Sequence, residues 1–369
     1  NLVFVGVGGK GASSIVALRQ HNLIGFCDVD ERTVAAARSE RSWSAQFDEL
    51  LKNAEKKGAR WYRDYRLMLD ELAEELDGVV ISTPDHMHFP IAMSAINLGI
   101  NVYCEKPLTH TVEEARLLAD AARKQGVVTQ MGNQGHSNDG VRLAREWIMA
   151  GAIGRVREVY SWTNRPIWPQ GFAKPPQKEA VPDAIDWQQW CGPAPFVDYS
   201  SLIAPFAWRG WWDYGTGALG DMACHIMDMG FWAMDAKAAR SVQAKQQGAT
   251  EISPPINSVL KWEFAATPYS AADGFTYHWY DGYIDATFDR EKWQLIKNGD
   301  EYNHPDREVL GDADFSKYGS VIIGDAGKLF FNRSRNSWVL ESGASIDGFE
   351  WPEKTLPRAR EQDNYVEWM

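Results

Sequence analysis

The first 130 residues alternate short apolar segments with helical patterns, and this alternation is the feature that most restricts the fold. Strands separated by helices in this way are typical of βαβ units, in which parallel strands form one sheet and the helices pack on its faces. The sequence therefore predicts a doubly wound α/β domain with a parallel sheet. Its predicted strands are residues 2–6, 23–28, 78–83, 101–104 and 127–131 with the short segment 60–62, and its predicted helices are residues 11–21, 31–40, 45–57, 87–98 and 112–125.

The pattern changes after about residue 150. Residues 156–165 alternate as a strand does, and residues 166–205 are rich in Pro and Trp without periodicity. Residues 217–234 read as helix, and residues 242–340 form strand-like runs. We therefore expect two domains, residues 1–135 and residues 136–369, the second an α+β domain with a large, mostly antiparallel open sheet. Residues 360–369 read as the beginning of a helix, which predicts that the C-terminal helix is truncated.

The composition excludes several classes of protein. The sequence has 38 Lys and Arg residues against 50 Asp and Glu residues, a formal net charge of −12, whereas nucleic-acid binders concentrate positive charge. No apolar run approaches the ~20 residues that a membrane helix needs. The four cysteines form no C-x-x-C pair, so neither a zinc site nor a disulfide framework is expected. We expect a cytoplasmic protein; an exported protein whose leader has been removed is the alternative.

A glycine-rich turn follows the first predicted strand. Gly6, Gly8 and Gly11 have the spacing G-x-G-x-x-G, and Gly9 lies among them. Such a turn lets the backbone approach a pyrophosphate and presents the N–H groups of a helix start to the anion. Asp28 ends the second predicted strand, where a carboxylate can bind a ribose 2′-hydroxyl. These residues form the predicted dinucleotide site; a glycine-rich turn without a ligand is the alternative.

The residues after the second strand bear on the choice of coenzyme. A carboxylate such as Asp28 repels a 2′-phosphate, which favours NAD over NADP. Arg32 lies nearby and is a further predicted cofactor contact; because its positive charge could meet a 2′-phosphate, NADP is not excluded. The predicted cofactor is therefore NAD, with NADP as the less favoured alternative.

Two further motifs follow predicted strands at the carboxyl edge of the sheet, where open α/β sheets bind ligands. Residues 83–88 read T-P-D-H-M-H, and residues 105–107 read E-K-P. Thr83 and Asp85 have an alternative interpretation as helix caps. A lysine directly after a buried strand is placed where desolvation and a bound cofactor can shift its pKa. The alternative is an ordinary solvated lysine. The predicted cofactor contacts of the two motifs are Thr83, Pro84, Asp85, His88, Glu105 and Lys106.

Asp221 and His225 lie four residues apart in the predicted helix 217–234. Positions i and i+4 share one face of a helix, so the two side chains can address a single substrate hydroxyl. One can hold that hydroxyl while the other removes its proton. Two ligands at this spacing can also bind a metal, but no third ligand is evident nearby, so no metal is expected.

Taken together, the glycine-rich turn, Thr83-Pro84, E-K-P and the Asp221-x-x-x-His225 helix resemble the Gfo/Idh/MocA family of oxidoreductases. The resemblance covers nearly the whole chain and implies an N-terminal Rossmann domain, a C-terminal sheet that often mediates homo-oligomers, and a nicotinamide cofactor that lies between Lys106 and His225. It implies that His225 is the base that takes the hydroxyl proton. Lys106 stabilises the developing alkoxide or carbonyl, and Asp221 orients the substrate.

The chain departs from many relatives after the sixth strand, where they carry an arginine and this chain reads G-N-Q-G-H over residues 132–136. We expect Asn133 to contact the cofactor, and Gln134 or His136 to face the substrate.

Tryptophan is the unusual residue of the composition, with 17 in the chain. Seven of them lie between residues 162 and 212, whereas core aromatics would be spread over both domains. Aromatic faces pack against the apolar faces of sugars, and arginines can meet sugar hydroxyls. The alternative is a Trp-rich loop that packs on its own sheet or on a neighbouring subunit. The predicted substrate contacts of this region are Arg165, Trp168, Arg209, Trp211, Trp212 and Tyr214.

Three functions compete at this point. The first is a dehydrogenase that oxidises a hydroxyl of a sugar, polyol or glycoside. The second is an NAD-dependent glycoside hydrolase that oxidises its substrate transiently, eliminates the glycosidic substituent, adds water and reduces the product again, with His136 or Tyr214 as an additional base. The third is a non-catalytic sensor of dinucleotides, which has no need of Lys106, Asp221 and His225.

Overall fold

The computed structural model describes residues 1–310, 317–332, 337–341, 352–358 and 363–369. They form two compact units. The first unit contains Asn1–Gly132, Pro175–Thr216 and Trp368–Met369, and the second contains Asn133–Lys174 and Gly217–Glu367. The expected domains, residues 1–135 and 136–369, did not include the return of Pro175–Thr216 to the first unit.

The first unit is built on a six-stranded parallel sheet with the strand order β3-β2-β1-β4-β5-β6. This order is that of the Rossmann fold, so the predicted α/β class is confirmed. All four residues of β1 and of β4 are buried, because helices cover both faces of such a sheet. The elements are β1 (Leu2–Val5), α1 (Gly9–Ala17), β2 (Leu23–Cys27), α2 (Glu31–Ser39), α3 (Ser44–Lys56), β3 (Arg60–Tyr62), α4 (Tyr65–Leu72), β4 (Gly78–Ile81), α5 (His88–Asn97), β5 (Asn101–Glu105), α6 (Val112–Gln125) and β6 (Thr129–Gly132).

The remaining described elements continue in chain order, and α8 belongs to the first unit. They are α7 (Asp139–Met149), β7 (Val156–Thr163), α8 (Trp187–Cys191), α9 (Gly217–Ile226), α10 (Asp228–Ala233), β8 (Ser241–Gln247), β9 (Asn257–Phe264), β10 (Phe275–Asp281), β11 (Ala286–Asp289), β12 (Gln294–Lys297), α11 (Arg307–Leu310), β13 (Tyr318–Gly324), β14 (Lys328–Asn332), β15 (Ser337–Glu341) and α12 (Asn364–Trp368).

The second unit contains a seven-stranded sheet with the order β15-β14-β13-β7-β10-β9-β8. Its described strands pair antiparallel except β7 with β10, which confirms the predicted, mostly antiparallel open sheet. Apolar side chains of β7, β10 and β13 pack with α7 and α10 to form the core; Val159, Tyr277 and Ile322 are fully buried there. α9 packs on the same sheet through Met222 and Ile226, which cluster with Trp279 of β10.

The helix predicted over residues 217–234 is two helices, α9 and α10, which meet at Met227. The helix predicted over residues 360–369 is present as α12, while residues 359–362 lie outside the described part of the chain. Within the described residues, no helix is long and apolar enough to cross a membrane. The same part of the chain contains no group of three His, Cys, Asp or Glu side chains placed to hold a metal ion. All four cysteines are free thiols.

Candidate functional site

The glycine-rich turn between β1 and α1 needs its glycines for steric reasons. Gly6 has a φ of +80°, and a Cβ there would lie 2.6 Å from the carbonyl oxygen of Ser82. A Cβ on Gly11 would lie only 1.8 Å from the carbonyl oxygen of Gly6. Because real Cβ contacts are never this short, the backbone of β1 passes this close to β4 and α1 only with glycine at both positions. Gly9, by contrast, has open space beside it, on the outside of the turn.

Asp28 is hydrogen-bonded to this turn. Its Oδ2 accepts from the backbone N–H of Val7 at 2.8 Å and of Gly8 at 3.2 Å, and its Oδ1 accepts from the N–H of Asp30 at 3.0 Å. Burial raises the pKa of Asp28, and these three N–H groups oppose the rise. The carboxylate therefore links the end of β2 to the start of the turn, at the edge where a dinucleotide-binding fold holds its ribose.

Three side chains of the T-P-D-H-M-H motif, those of Asp85, His86 and His88, are hydrogen-bonded to other segments of the first unit. Asp85 is 2% exposed, and its Oδ2 accepts from the N–H of Thr216 at 3.2 Å and from its Oγ1 at 2.9 Å. No side-chain cap is seen at the short helical turn Asp85–Met87 or at α5, so the cap interpretation of Thr83 and Asp85 is wrong. Sequence reasoning missed the tether to Thr216, which lies 131 residues away.

His88 joins the two motifs at the carboxyl edge. It is 1% exposed, and its ring nitrogens lie 2.7 Å from the carbonyl oxygen of Pro107 and 3.0 Å from that of Thr83. The side chain expected to contact cofactor thus fixes the backbone of T-P-D against that of E-K-P. His86, which the prediction passed over, contacts the carbonyl oxygens of Trp190 and Tyr214 instead, and burial lowers its pKa to about 4.

Lys106 follows β5 directly and is half-buried. Burial raises the pKa of Asp85, and the neighbouring side chains of His88, Arg209 and Lys106 together with the Thr216 hydrogen bond oppose that rise. The positive charge of Lys106 therefore acts on the buried carboxyl group of Asp85 within the first unit. Its neighbour Glu105 is 5% exposed, with an oxygen 3.5 Å from the Nζ of Lys10.

In the second unit, Asn133 holds the ring of His225. The Nδ2 of Asn133 donates to the carbonyl oxygen of Cys224 at 2.6 Å, and its Oδ1 lies 2.9 Å from the Nδ1 of His225. Since the bond to Cys224 turns the amide oxygen towards the imidazole, Nδ1 must carry the proton and Nε2 carries the lone pair. Asn133 is 3% exposed, whereas His225 is exposed to solvent. The neighbouring Asn133 therefore sets the tautomer of the His225 imidazole.

Asp221 lies one turn before His225 on α9 and is 8% exposed. The i, i+4 spacing predicted this pair correctly as neighbours on one helix, because both residues lie within Gly217–Ile226. The partner Asn133 was expected to contact cofactor. Its contact with a helix 92 residues further along the chain left no local signal in the sequence.

A second histidine of the same unit is also held by an acceptor. The Nδ1 of His136 lies 2.8 Å from the Oδ2 of Asp228, and its ring lies 4.6 Å from that of Trp232. His136 follows Asn133 by three residues, and Asp228 follows His225 by three. The segment after β6 and the segment of α9 and α10 are therefore joined by two side-chain contacts, Asn133–His225 and His136–Asp228. Both side chains are partly exposed, at 29% and 22%. Gln134, next to this pair in sequence, is half-buried.

Most aromatic side chains of the Trp-rich region are interior. Trp168 and Trp211 are 2% exposed and Tyr214 is fully buried, so none of them presents an open ring face to a sugar, and their prediction as substrate contacts is corrected. Tyr214 donates to the carbonyl oxygen of Pro195 at 2.9 Å, and Trp168 donates to Gln170 at 2.8 Å. Within the first unit, the Tyr214 ring packs against those of Trp190 and Trp211, with ring centroids 5.1 Å and 6.2 Å away.

The other candidates of that region retain exposed surface. Trp212 is 41% exposed. Arg165 and Arg209 are half-buried; Arg209 lies 4.1 Å above the ring of Trp208, and Arg165 lies 6.0 Å from that of Trp168. These three side chains stay candidates for substrate contact.

Two family models match the chain. The model described as an oxidoreductase family with an NAD-binding Rossmann fold matches residues 1–133, and the model of the same family's C-terminal alpha/beta domain matches residues 151–265. The first match contains the glycine-rich turn, Asp28 and both carboxyl-edge motifs. The second contains Asp221 and His225.

Two curated proteins illustrate the relatives. Levoglucosan dehydrogenase of Pseudarthrobacter phenanthrenivorans is 30% identical over 166 residues, which are 45% of this chain and 34% of that protein. The 2,7-anhydro-N-acetylneuraminate hydratase of Mediterraneibacter gnavus is 30% identical over 91 residues, 25% of this chain and 24% of that protein. The alignments thus span about a quarter to a third of the length of these relatives.

Among solved structures, a levoglucosan dehydrogenase in complex with NADH and levoglucosan matches with a TM-score of 0.57 and 20% identity. The match covers 94% of this chain and 77% of that one. At this identity the likeness shows the fold, and it extends over both units.

Proposed function

Because the chain belongs to the Gfo/Idh/MocA family of oxidoreductases, we propose that it is an NAD-dependent dehydrogenase that oxidises a hydroxyl carbon of a sugar, polyol or glycoside. The observation that carries this proposal is the exposed imidazole of His225, whose Nδ1 is held by the buried Asn133. A histidine fixed in this way is prepared to take a proton from a hydroxyl through Nε2. A dinucleotide sensor would have no use for it.

The first unit fits NAD on three observations. The glycine-rich turn has no room for side chains at Gly6 and Gly11. Asp28 lies at the end of β2, where it can receive a ribose hydroxyl. The hydroxyl groups of Ser82 and Thr83 are buried and have no hydrogen-bond partner among the described residues. Because buried polar groups are normally hydrogen-bonded, these two hydroxyls can bind a ligand at the carboxyl edge of β4. When NAD is bound, its nicotinamide supplies the hydride acceptor.

The chemistry assigned to the protein side chains follows from their charges. His225 takes the hydroxyl proton at Nε2, and the Asn133 oxygen stabilises the resulting imidazolium through Nδ1–H. The ammonium of Lys106 stabilises negative charge on the substrate oxygen as its proton leaves. Asp221, a largely buried carboxylate, orients the substrate by accepting a hydrogen bond from a second hydroxyl, since the proton of the reacting hydroxyl goes to His225. Trp212, Arg165, Arg209 and Gln134 are the proposed sources of substrate contacts.

The role of Asn133 is open to a direct test. Replacing it by leucine removes both hydrogen bonds at nearly constant volume, and we expect kcat to fall about 100-fold because the His225 ring loses its orientation. Asn133→Asp keeps an acceptor towards Nδ1–H but loses the donor to the Cys224 carbonyl, so we expect it to recover only part of that loss. Dissociation constants for NADH, measured by fluorescence titration, should stay within about threefold of the wild type in both variants.

Two outcomes would contradict this assignment. If Asn133→Leu weakens NADH binding in proportion to the loss of turnover, Asn133 acts as the cofactor contact that the sequence suggested. If Asn133→Asp is as impaired as Asn133→Leu while both keep the wild-type melting temperature, the acceptor on His225 is not what matters.

A glycoside hydrolase is the second candidate, and the His136–Asp228 pair favours it. Redox-neutral elimination needs a base beyond His225, and a histidine held by a carboxylate is suited to that task. Tyr214, the other candidate base, is buried, and burial raises the pKa of its hydroxyl, which opposes proton abstraction. The relative named as a hydratase of an anhydro sugar is consistent with chemistry other than simple oxidation.

Product analysis separates the two functions. A dehydrogenase forms net NADH from sugars, polyols or glycosides. A hydrolase of this kind releases the aglycone from chromogenic glycosides of both α and β linkage without net NADH, and His136→Ala should then lower aglycone release at least about tenfold while leaving NADH formation in a single turnover intact. A His136→Ala protein with full aglycone release would remove His136 from that mechanism. NADH binding with neither activity would support the sensor.

The family resemblance also implies a homo-oligomer formed through the second sheet. The oligomeric state of the protein and the compartment in which it works stay predictions.

A further inference from the structure

Arg32 lies in the first turn of α2, four residues after Asp28, and its guanidinium is held by Asp30. Its Nε lies 2.8 Å from the Oδ1 of Asp30 and its Nη2 lies 2.7 Å from the Oδ2, which is a bidentate ion pair. Asp30 is 2% exposed and also caps α2 through the N–H of Arg32. This geometry turns the arginine fork towards Asp30.

The remaining side of the guanidinium is held by Tyr199, a residue 167 positions away. The Nη1 of Arg32 donates to the Tyr199 hydroxyl at 2.7 Å, and the guanidinium carbon lies 5.7 Å from the centre of the ring. Tyr199 is 2% exposed and packs edge-on against Trp187 at 5.1 Å. The hydrogen bond with Asp30 is the main cause of the raised pKa of Arg32, with Tyr199 adding to it.

The segment Pro175–Thr216, which carries Tyr199, is itself attached to the loop after β2. The N–H of Glu31 donates to the carbonyl oxygen of Ala184 at 3.0 Å, and the N–H of Asp186 donates to that of Val29 at 2.9 Å. Asp30 also forms a β-bridge with Ile185. Tyr199 is therefore presented to Arg32 by backbone contacts on the same loop, within one compact unit.

We propose that Asp30 and Tyr199 lock Arg32 and thereby make the site select NAD over NADP. This inference rests on the proposed function, because it takes the ribose of the coenzyme to lie at Asp28. A 2′-phosphate is accommodated in such folds by an arginine near the end of the second strand. Here the arginine in that position is neutralised by Asp30, and a 2′-phosphate would instead meet the carboxylates of Asp28 and Asp30.

The test compares dissociation constants for NADH and NADPH, measured by fluorescence titration of the intact chain. Asp30→Asn keeps an oxygen that can cap α2, and Tyr199→Phe keeps the packed ring, so the double variant releases Arg32 with little change in shape. We expect the double variant to bind NADPH at least about tenfold more tightly than the wild type does, and NADH within about threefold. Tyr199→Phe alone should give about a twofold to threefold gain in NADPH affinity.

Adding Arg32→Ala to the double variant distinguishes a released arginine from a simple loss of negative charge. We expect this third change to abolish the gain in NADPH affinity. Tyr65→Phe, in α4, is the matched control for loss of a tyrosine hydroxyl and should change neither constant.

Three results would overturn the inference. A gain in NADPH affinity that survives Arg32→Ala would show that charge alone selects the coenzyme. The double variant could keep the wild-type melting temperature and the wild-type affinity for NADH but gain no affinity for NADPH. That result would overturn the lock while leaving the proposed function intact. Absence of NADH binding to the wild-type chain would overturn the proposed function and the lock with it.

Discussion

The His225→Ala protein is expected to lose about 10³-fold in kcat while its dissociation constant for NADH stays within about threefold of the wild-type value. The physical reason is that the imidazole is the proton acceptor in the proposed reaction, and a positioned base contributes about 10²–10⁴-fold to such a step. His225 is exposed, so its removal leaves no buried cavity and should cost little stability. Steady-state rates and a fluorescence titration of the same preparation provide both numbers.

The matched control for this prediction is His21→Ala. His21 lies in the turn after α1, in the other unit, and is also accessible to solvent. We expect it to keep wild-type rates. Turnover at the wild-type level in the His225→Ala protein would remove His225 from the mechanism, and a parallel loss of NADH binding would make it a binding residue instead.

The second large effect is expected at Lys106. Lys106→Met keeps the length of the side chain but removes its charge, and kcat/KM should fall about 10²- to 10³-fold because negative charge on the substrate oxygen is no longer stabilised. Lys106→Arg restores the charge with a different shape, so we expect a partial recovery. Rates measured over a range of substrate concentrations with saturating NAD separate the loss of kcat from a change in KM.

Lys124→Met is the control, since Lys124 is exposed in the last turn of α6. It should change neither parameter. If Lys106→Met keeps its kcat at saturating substrate and instead raises the dissociation constant of NADH, then Lys106 holds the coenzyme and has no electrostatic role in the reaction.

The parts of the fold that depend on local pattern could be predicted from the sequence. Apolar runs and helical periods lie within each βαβ unit, so the six-stranded sheet and its glycine-rich turn follow from short segments. The neighbours Asp221 and His225 follow from helix geometry alone. The strand-like runs after residue 240 likewise predicted an antiparallel sheet, although not its order or the parallel pair β7–β10.

The parts that depend on distant contacts could not be predicted. Asp85 meets Thr216, Arg32 meets Tyr199 and Asn133 meets His225 across 131, 167 and 92 residues. A single sequence contains no local signal for such pairs, which form only when the chain has folded. For this reason the sequence predicts Asp85 as a cap or cofactor contact, and Arg32 as a residue that could admit NADP, without their actual partners.

The tryptophans show what composition alone does not reveal. Their concentration between residues 162 and 212 suggested a sugar site, but burial is a tertiary property that clustering does not reveal. Trp187, Trp190 and Tyr214 instead pack together: the Trp187 and Trp190 rings lie 4.6 Å apart, and the Trp190 and Tyr214 rings 5.1 Å apart. Trp212 remains the exposed tryptophan of the run at residues 208–212.

The central claim is that the chain transfers a hydride from a hydroxyl carbon to NAD. The most direct measurement incubates the wild-type chain with NAD and a panel of sugars, polyols and glycosides, and counts the NADH formed per carbonyl product. We predict one NADH for each carbonyl formed with at least one member of the panel. Aglycone release from a glycoside without net NADH, or NADH binding without any turnover, would contradict the claim.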